Sequence, residues 1–143
     1  MYCTLTDIEK KRIPTEMLIQ LTDADNLNVI NEETVNGCIN DAQVLFEGYM
    51  RGRYPLPLTP VPELAISIVA DLACYGIYAL QPQFEAPKAI ADRRATALTL
   101  MARIQDGKMP LYEPVTAPPA TGTTSIQYTS PRPVFTEDTL RNF

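Results

Sequence analysis

The fold predicted by the sequence is all-α: a small bundle of about four to five helices, with a proline-rich loop between two helices and an extended C-terminal tail. Three observations predict it. Apolar residues recur at steps of three and four along the long segments, prolines and Asp/Asn/Gly turns fall where those segments end, and residues 108–143 have no period able to bury a face. The packed domain is therefore expected over residues 1–107 and the tail over 108–143.

The first helix is expected to open at residues 4–9 and to run on towards Pro14, where Thr6 with Glu9 fits a capping box and Thr4 with Asp7 is a second register. Ile8 and Ile13 anchor it. Pro14 ends that segment and suits the start of the next, residues 15–22, whose Met17, Leu18 and Leu21 share one side. A polar turn comes next at residues 23–31 and delivers Asn31 as an N-cap. The long helix it opens, residues 32–51, carries Val35, Cys38, Ile39, Ala42, Leu45, Phe46 and Tyr49 as one stripe, and Gly52 is expected to close it in a left-handed conformation.

Pro55, Pro57, Pro60 and Pro62 then forbid helix and favour a stiff, polyproline-like connector. A rigid loop that packs Leu56, Leu58 and Val61 onto the helices is the plainer reading of this stretch than a ligand for an SH3-type domain. The next helix runs from Pro62 towards Pro82 and is the most apolar, so it is placed centrally, with Asp71 an exception that must find solvent or a partner. The last helix, residues 88–105, uses Ile90, Ala91, Ala97, Leu98, Met101 and Ile104, while Arg93, Arg94 and Arg103 are expected to point away. Asp106 and Gly107 terminate it.

In the tail, six of the chain's thirteen prolines stiffen the backbone and remove donors, and residues 123–129 are rich in β-formers that would add to an offered sheet edge. The tail closes on Val134, Phe135, Leu140 and Phe143, an apolar load that calls for a partner. With the tail set aside, the rest has the length of one small domain, which hides roughly 60–70% of its unfolded surface, so burial in an oligomer would add to its stability.

The 143 residues carry a net charge of -5 and no basic run, which argues against an obligate nucleic-acid binder. The chain has no histidine, which excludes Ser-His and Cys-His catalysis. Its three cysteines, Cys3, Cys38 and Cys74, are far apart and have no Cys-x-x-Cys pairing, which suggests neither zinc nor disulfides; Cys38 and Cys74 lie in apolar helical patterns and are expected to be buried thiols, and a reducing cytoplasm is the natural compartment. No secretory leader or apolar run long enough to cross a membrane is legible. Asp23, Asp25 and Ile30 resemble part of a calcium loop, but Leu27, Asn28 and Thr34 occupy positions that need a ligand, a glycine and a bidentate Glu, so an Asx turn is expected. Glu32, Glu33, Glu47 and Asp71 are the acid/base candidates, and helix-surface charge is the plainer reading of them. No catalytic residue, cofactor or metal is expected.

Four blocks, taken in order, resemble one family. They are Met1-Tyr-x-Thr-Leu-x-Asp-Ile-Glu9, Leu18-Ile-Gln-Leu-Thr-Asp23, Gly48-Tyr-x-x-Gly-Arg-Tyr-Pro-Leu-Pro-Leu58 and Ala70-Asp-Leu-Ala-x-Tyr75. Together they resemble the small helical head-to-tail connector (adaptor, or head-completion) proteins of tailed bacteriophages, in the Mu-like branch, over residues 1–107. The ending Val134-Phe-x-x-Asp-x-Leu-Arg-x-Phe143 is similar to tail ends in such proteins. The resemblance implies a structural virion subunit, made in the host cytoplasm, that forms a homo-oligomeric ring, a dodecamer, beneath the portal protein at the head-tail junction. Genomic DNA would pass through the ring without sequence-specific binding, and a tail-side connector or tail-terminator protein would sit below. An acidic lining suits sliding DNA. Arg132, Val134, Phe135, Leu140, Arg141 and Phe143 are the partner-binding candidates in the tail, and Tyr49, Arg51, Arg53, Tyr54, Pro55 and Pro57 the structural or inter-subunit ones. The other reading is a cytoplasmic helical regulator that grasps a partner with the same tail.

Overall fold

The computed structural model describes residues 1–9, 12–23 and 26–112. Five helices succeed one another: α1 (Leu5–Glu9), α2 (Thr15–Thr22), α3 (Glu32–Met50), α4 (Glu63–Ala79) and α5 (Lys88–Gln105). The fold is all-α, and no strand occurs among the described residues.

Side-chain caps decide two of the helix starts. The Thr4 N–H and hydroxyl both donate to Asp7 Oδ2, at 2.9 and 2.7 Å, so Thr4/Asp7 is the register realised and Thr6 lies inside α1. Asn31 Oδ1 accepts the Thr34 N–H at 3.1 Å and caps α3. Between the two, the buried Thr22 hydroxyl donates to Leu18 O at 2.8 Å and accepts the Asn31 N–H at 3.2 Å, tying the end of α2 to the start of α3. Both Asp23 oxygens are taken by backbone amides, Leu27 N–H at 3.0 Å and Asn28 N–H at 2.7 Å, with Asn26 and Asn28 at positive φ. These bonds reach four and five residues on, so the turn is wider than the Asx turn expected there, which closes at two; Asp25 lies outside the described residues.

α4 occupies the centre, in contact with α1, α2, α3 and α5. Nine of its residues are buried, among them Ile68, Val69, Ala70, Leu72 and Ile77. Cys38, early in α3, faces Gly76, late in α4, so the two helices run antiparallel. The α3 face turned inward is Val35, Ile39, Ala42, Phe46 and Met50, at steps of three and four. The stripe expected from the sequence is wider than this face. Leu45 stands 41% exposed and Tyr49 half-buried, because α4 and α5 together cover only one side of α3.

The end of α3 also departs from expectation. Arg51 continues in the right-handed conformation and the N–H groups of Arg53 and Tyr54 both bond back to Met50 O, so Gly52 adopts no left-handed cap. The connector after it bends at residues 56–57 and 59–60, with cis bonds at Leu56-Pro57 and Thr59-Pro60, rather than running straight as polyproline. The bends bring Leu58 into the core, where its N–H donates to Tyr2 Oη at 3.0 Å while the Tyr2 ring meets Phe46 edge-on at 5.8 Å. Leu56 and Val61 pack against the same core, as the sequence predicts.

α5 ends in the turn expected of Asp106-Gly107. Gly107 sits at φ +77, its N–H bonds to Ile104 O, and the Lys108 N–H bonds to Arg103 O, which is the Schellman pattern. Packing then continues past Gly107: Leu111 is 3% exposed, and Met109 and Tyr112 lean on the core. Residues 113–143 lie outside the described residues, and with them the tail candidates and the strand expected at 123–129.

Candidate functional site

Each side of the 49–60 block has a different neighbour. Tyr54 turns inward, its hydroxyl accepting the Leu111 N–H at 3.1 Å and its ring meeting Tyr112 edge-on at 5.9 Å. The Tyr112 hydroxyl donates to Pro60 O at 3.2 Å. The Arg53 guanidinium lies against Gly107, so close that a Cβ there would stand 2.5 Å from Nη1. That position sets a cation beside the last carbonyls of α5, where the helix dipole is negative. Arg51, Pro55 and Pro57 are exposed. A cleft of about 450 Å³ opens beside the block, between Pro62 and Leu64 at the start of α4 and Met109, Leu111 and Tyr112.

A second surface lies on α3. Val44 is 61% exposed and, with Leu45, Gly48, Tyr49 and Gln105 of α5, lines a shallow depression of about 520 Å³. Leu45 also borders the neighbouring groove towards Tyr75 of α4 and Leu80 just after it, so the exposed apolar surface continues from α3 onto the end of α4. This face escapes a reading of the sequence because Leu45 and Tyr49 fit the core period; Val44, off that period, is the available signal.

The acid/base candidates are engaged elsewhere. Asp71 accepts from Arg12 Nε at 2.6 Å and lies 4.0 Å from Arg93 Nη1. Arg12 further donates to Asp7 O, Ser67 O and Ser67 Oγ, stapling the segment before α2 onto α4. Glu47 accepts from Gln43 Nε2 at 3.2 Å, and Glu32 and Glu33 form the first turn of α3. Arg94, expected to point away, instead sets its guanidinium over the Tyr75 ring, 4.5 Å from the ring centre, because α5 packs against α4. No cluster of three His, Cys, Asp or Glu residues able to hold a metal occurs among the described residues. Nor is any described helix long and apolar enough to cross a membrane.

The geometry thus offers packing surfaces built on the block that carries the resemblance, and comparison with known proteins gives that block a context. A family model described as bacteriophage Mu, Gp36 matches residues 2–128. The chain belongs to the bacteriophage Mu Gp36 family. Its span takes in α1 to α5, the 49–60 block and the run to Tyr112, and stops short of the apolar residues that begin at Val134. A search of curated proteins returned no match.

In this Mu Gp36 family member the thiols belong to the core. Cys3, Cys38 and Cys74 are buried and free. Burial pushes Cys3 up to about 11 and Cys74 up to about 12, and raises Cys38 as well, which keeps all three as neutral, unreactive thiols near neutrality. Tyr2 and Tyr78 are raised for the same reason.

Proposed function

We propose that this Mu-like phage protein is a structural subunit of the virion, a head-tail connector that forms a ring beneath the portal and joins the DNA-filled head to the tail. The observation that carries the reading is the Mu Gp36 match across the 48–58 block, the stretch on which the resemblance to connector proteins chiefly rests. The role is non-catalytic. Two features of the molecule support it. The exposed apolar side chains Val44 and Leu45 on α3 give the bundle a flank suited to a second copy. The sequence beyond the bundle ends on Val134, Phe135, Leu140 and Phe143, which suit a groove on a neighbouring ring protein, with Arg132 and Arg141 beside them.

The deciding experiment removes residues 131–143. The truncated chain keeps the circular dichroism and unfolding midpoint of the full chain, and phage carrying it accumulate filled heads and free tails. Normal virions from the truncated gene overturn the docking role of the tail. Particle composition provides the parallel check. A connector is found in purified virions as a ring, whereas a regulator stays a monomer or dimer and is absent from them.

A further inference from the structure

We infer that Arg53 and Tyr54 form a seat that fixes where, and in which direction, the C-terminal segment leaves the bundle. Four separate contacts converge on the short run after α5. Arg53 lies on Gly107, Tyr54 Oη accepts the Leu111 N–H, the Tyr54 and Tyr112 rings meet, and Tyr112 Oη donates to Pro60 O. Residues 108–112 belong to no helix, and a chain end of this kind frays unless it is tied down. The hydrogen bonds and ring contact that hold Leu111 and Tyr112 come from one block, residues 53–60, some 50 positions earlier.

Burying Leu111 alone does not account for the arrangement. An apolar contact holds a side chain but leaves the backbone free to turn about it, whereas a hydrogen bond to the Leu111 amide also orients the peptide. The ring pair and the Pro60 bond then fix the next residue. Direction matters because a long stretch of chain hangs from this point. Residues 113–143 span at most about 100 Å at roughly 3.3 Å each, so a swing at the seat displaces the far end by a large fraction of that length. Tyr54 and Arg53 are therefore positioning residues for the tail. Only the identity of what the tail reaches rests on the connector reading; the exit itself belongs to a single subunit.

The test uses the full chain with Thr116→Cys carrying a nitroxide, the native thiols being buried. Paramagnetic broadening is expected to concentrate on the amides of Glu63 and Leu64, beside the seat, and to spare Leu80 at the far end of α4, about 25 Å away at 1.5 Å per residue. Tyr54→Ala lowers that contrast at least threefold while the helical signals persist. Contrast that survives Tyr54→Ala in a folded chain overturns the inference. Tyr54→Phe guards against a variant that fails to fold, since it keeps the ring and removes only the acceptor. Exchange of the Leu111 amide is then about two- to tenfold faster, and an unchanged rate also overturns the inference. Both readouts use isolated protein, so they stand or fall independently of whether truncated phage assemble.

Discussion

Replacing Asp71 by Ala strands the Arg12 guanidinium, whose side chain is only 9% exposed, against neutral acceptors. Removing one partner of a fully buried ion pair costs about 3–5 kcal/mol. Asp71 is 18% exposed and Arg12 keeps its bonds to Ser67 and to Asp7 O, so the expected loss is nearer about 2–3 kcal/mol. In a bundle of this size that lowers the melting temperature by roughly 10–20 °C. Arg12→Met alone should cost about 2 kcal/mol, somewhat less, since the Arg93 guanidinium still faces the carboxylate at 4.0 Å. The double variant Arg12→Met with Asp71→Ala removes both charges and should cost little more than either single change, which makes the coupling about 2 kcal/mol. Urea unfolding followed by far-UV circular dichroism measures all four corners of the cycle. Loss that is additive within about 0.5 kcal/mol would refute the idea that this pair staples the segment before α2 onto α4. High salt should alter the coupling little, because the pair is shielded from solvent.

Three further outcomes are expected. Gly107→Ala should destabilise the fold by about 1–2 kcal/mol, since φ +77 disfavours a Cβ and Arg53 occupies its space; in an Arg53→Ala background the steric part of the loss disappears, as thermal melts will show. Val44→Glu, on the exposed α3 face, should change monomer stability by less than about 0.5 kcal/mol and yet abolish higher oligomers in sedimentation analysis, and intact rings would remove α3 as the flank. Alkali should weaken the fold through the thiols. Their ordinary value is 9.0 and their folded values are about 11 for Cys3 and about 12 for Cys74, so between pH 9 and 12 the folded chain holds protons that the unfolded chain has lost. Stability contributed below pH 9 is thus lost as pH rises, by up to about 1.4 kcal/mol per thiol per pH unit, and Cys3→Ala with Cys74→Ala flattens that slope in pH-dependent unfolding.

The helices were legible because their ends are local. Asn31 caps α3 through its own neighbour Thr34, Pro87 precedes α5, and Gly107 closes it, all within a few residues of chain. Asp71 was legible as a charge in need of a partner, although Arg12, 59 residues away, was not legible as that partner. The candidate site was read only in part. The 48–58 block stood out as a string of residues, but its inward and outward members look alike in sequence. Tyr49 is half-buried against the core, Tyr54 accepts from Leu111, and Arg51 beside them is exposed. The cap at Gly52 failed for a related reason, because the chain needed to turn on through Arg53 and Tyr54 to reach the α5 end.

By itself the sequence determined that the fold is all-α, the bounds of α2 to α5 to within about two residues, and that Asp23 closes a polar turn before α3, since each depends on backbone groups satisfied close by; α1, expected to run towards Pro14, ends at Glu9. Only the tertiary structure decided which edge of the α3 stripe stays uncovered, that Arg94 lies on Tyr75, and that Leu111 is held by Tyr54. Those outcomes depend on which surfaces meet. A helical period states that a residue lies near a buried face, but the width of the face is set by the neighbours that arrive from elsewhere in the chain.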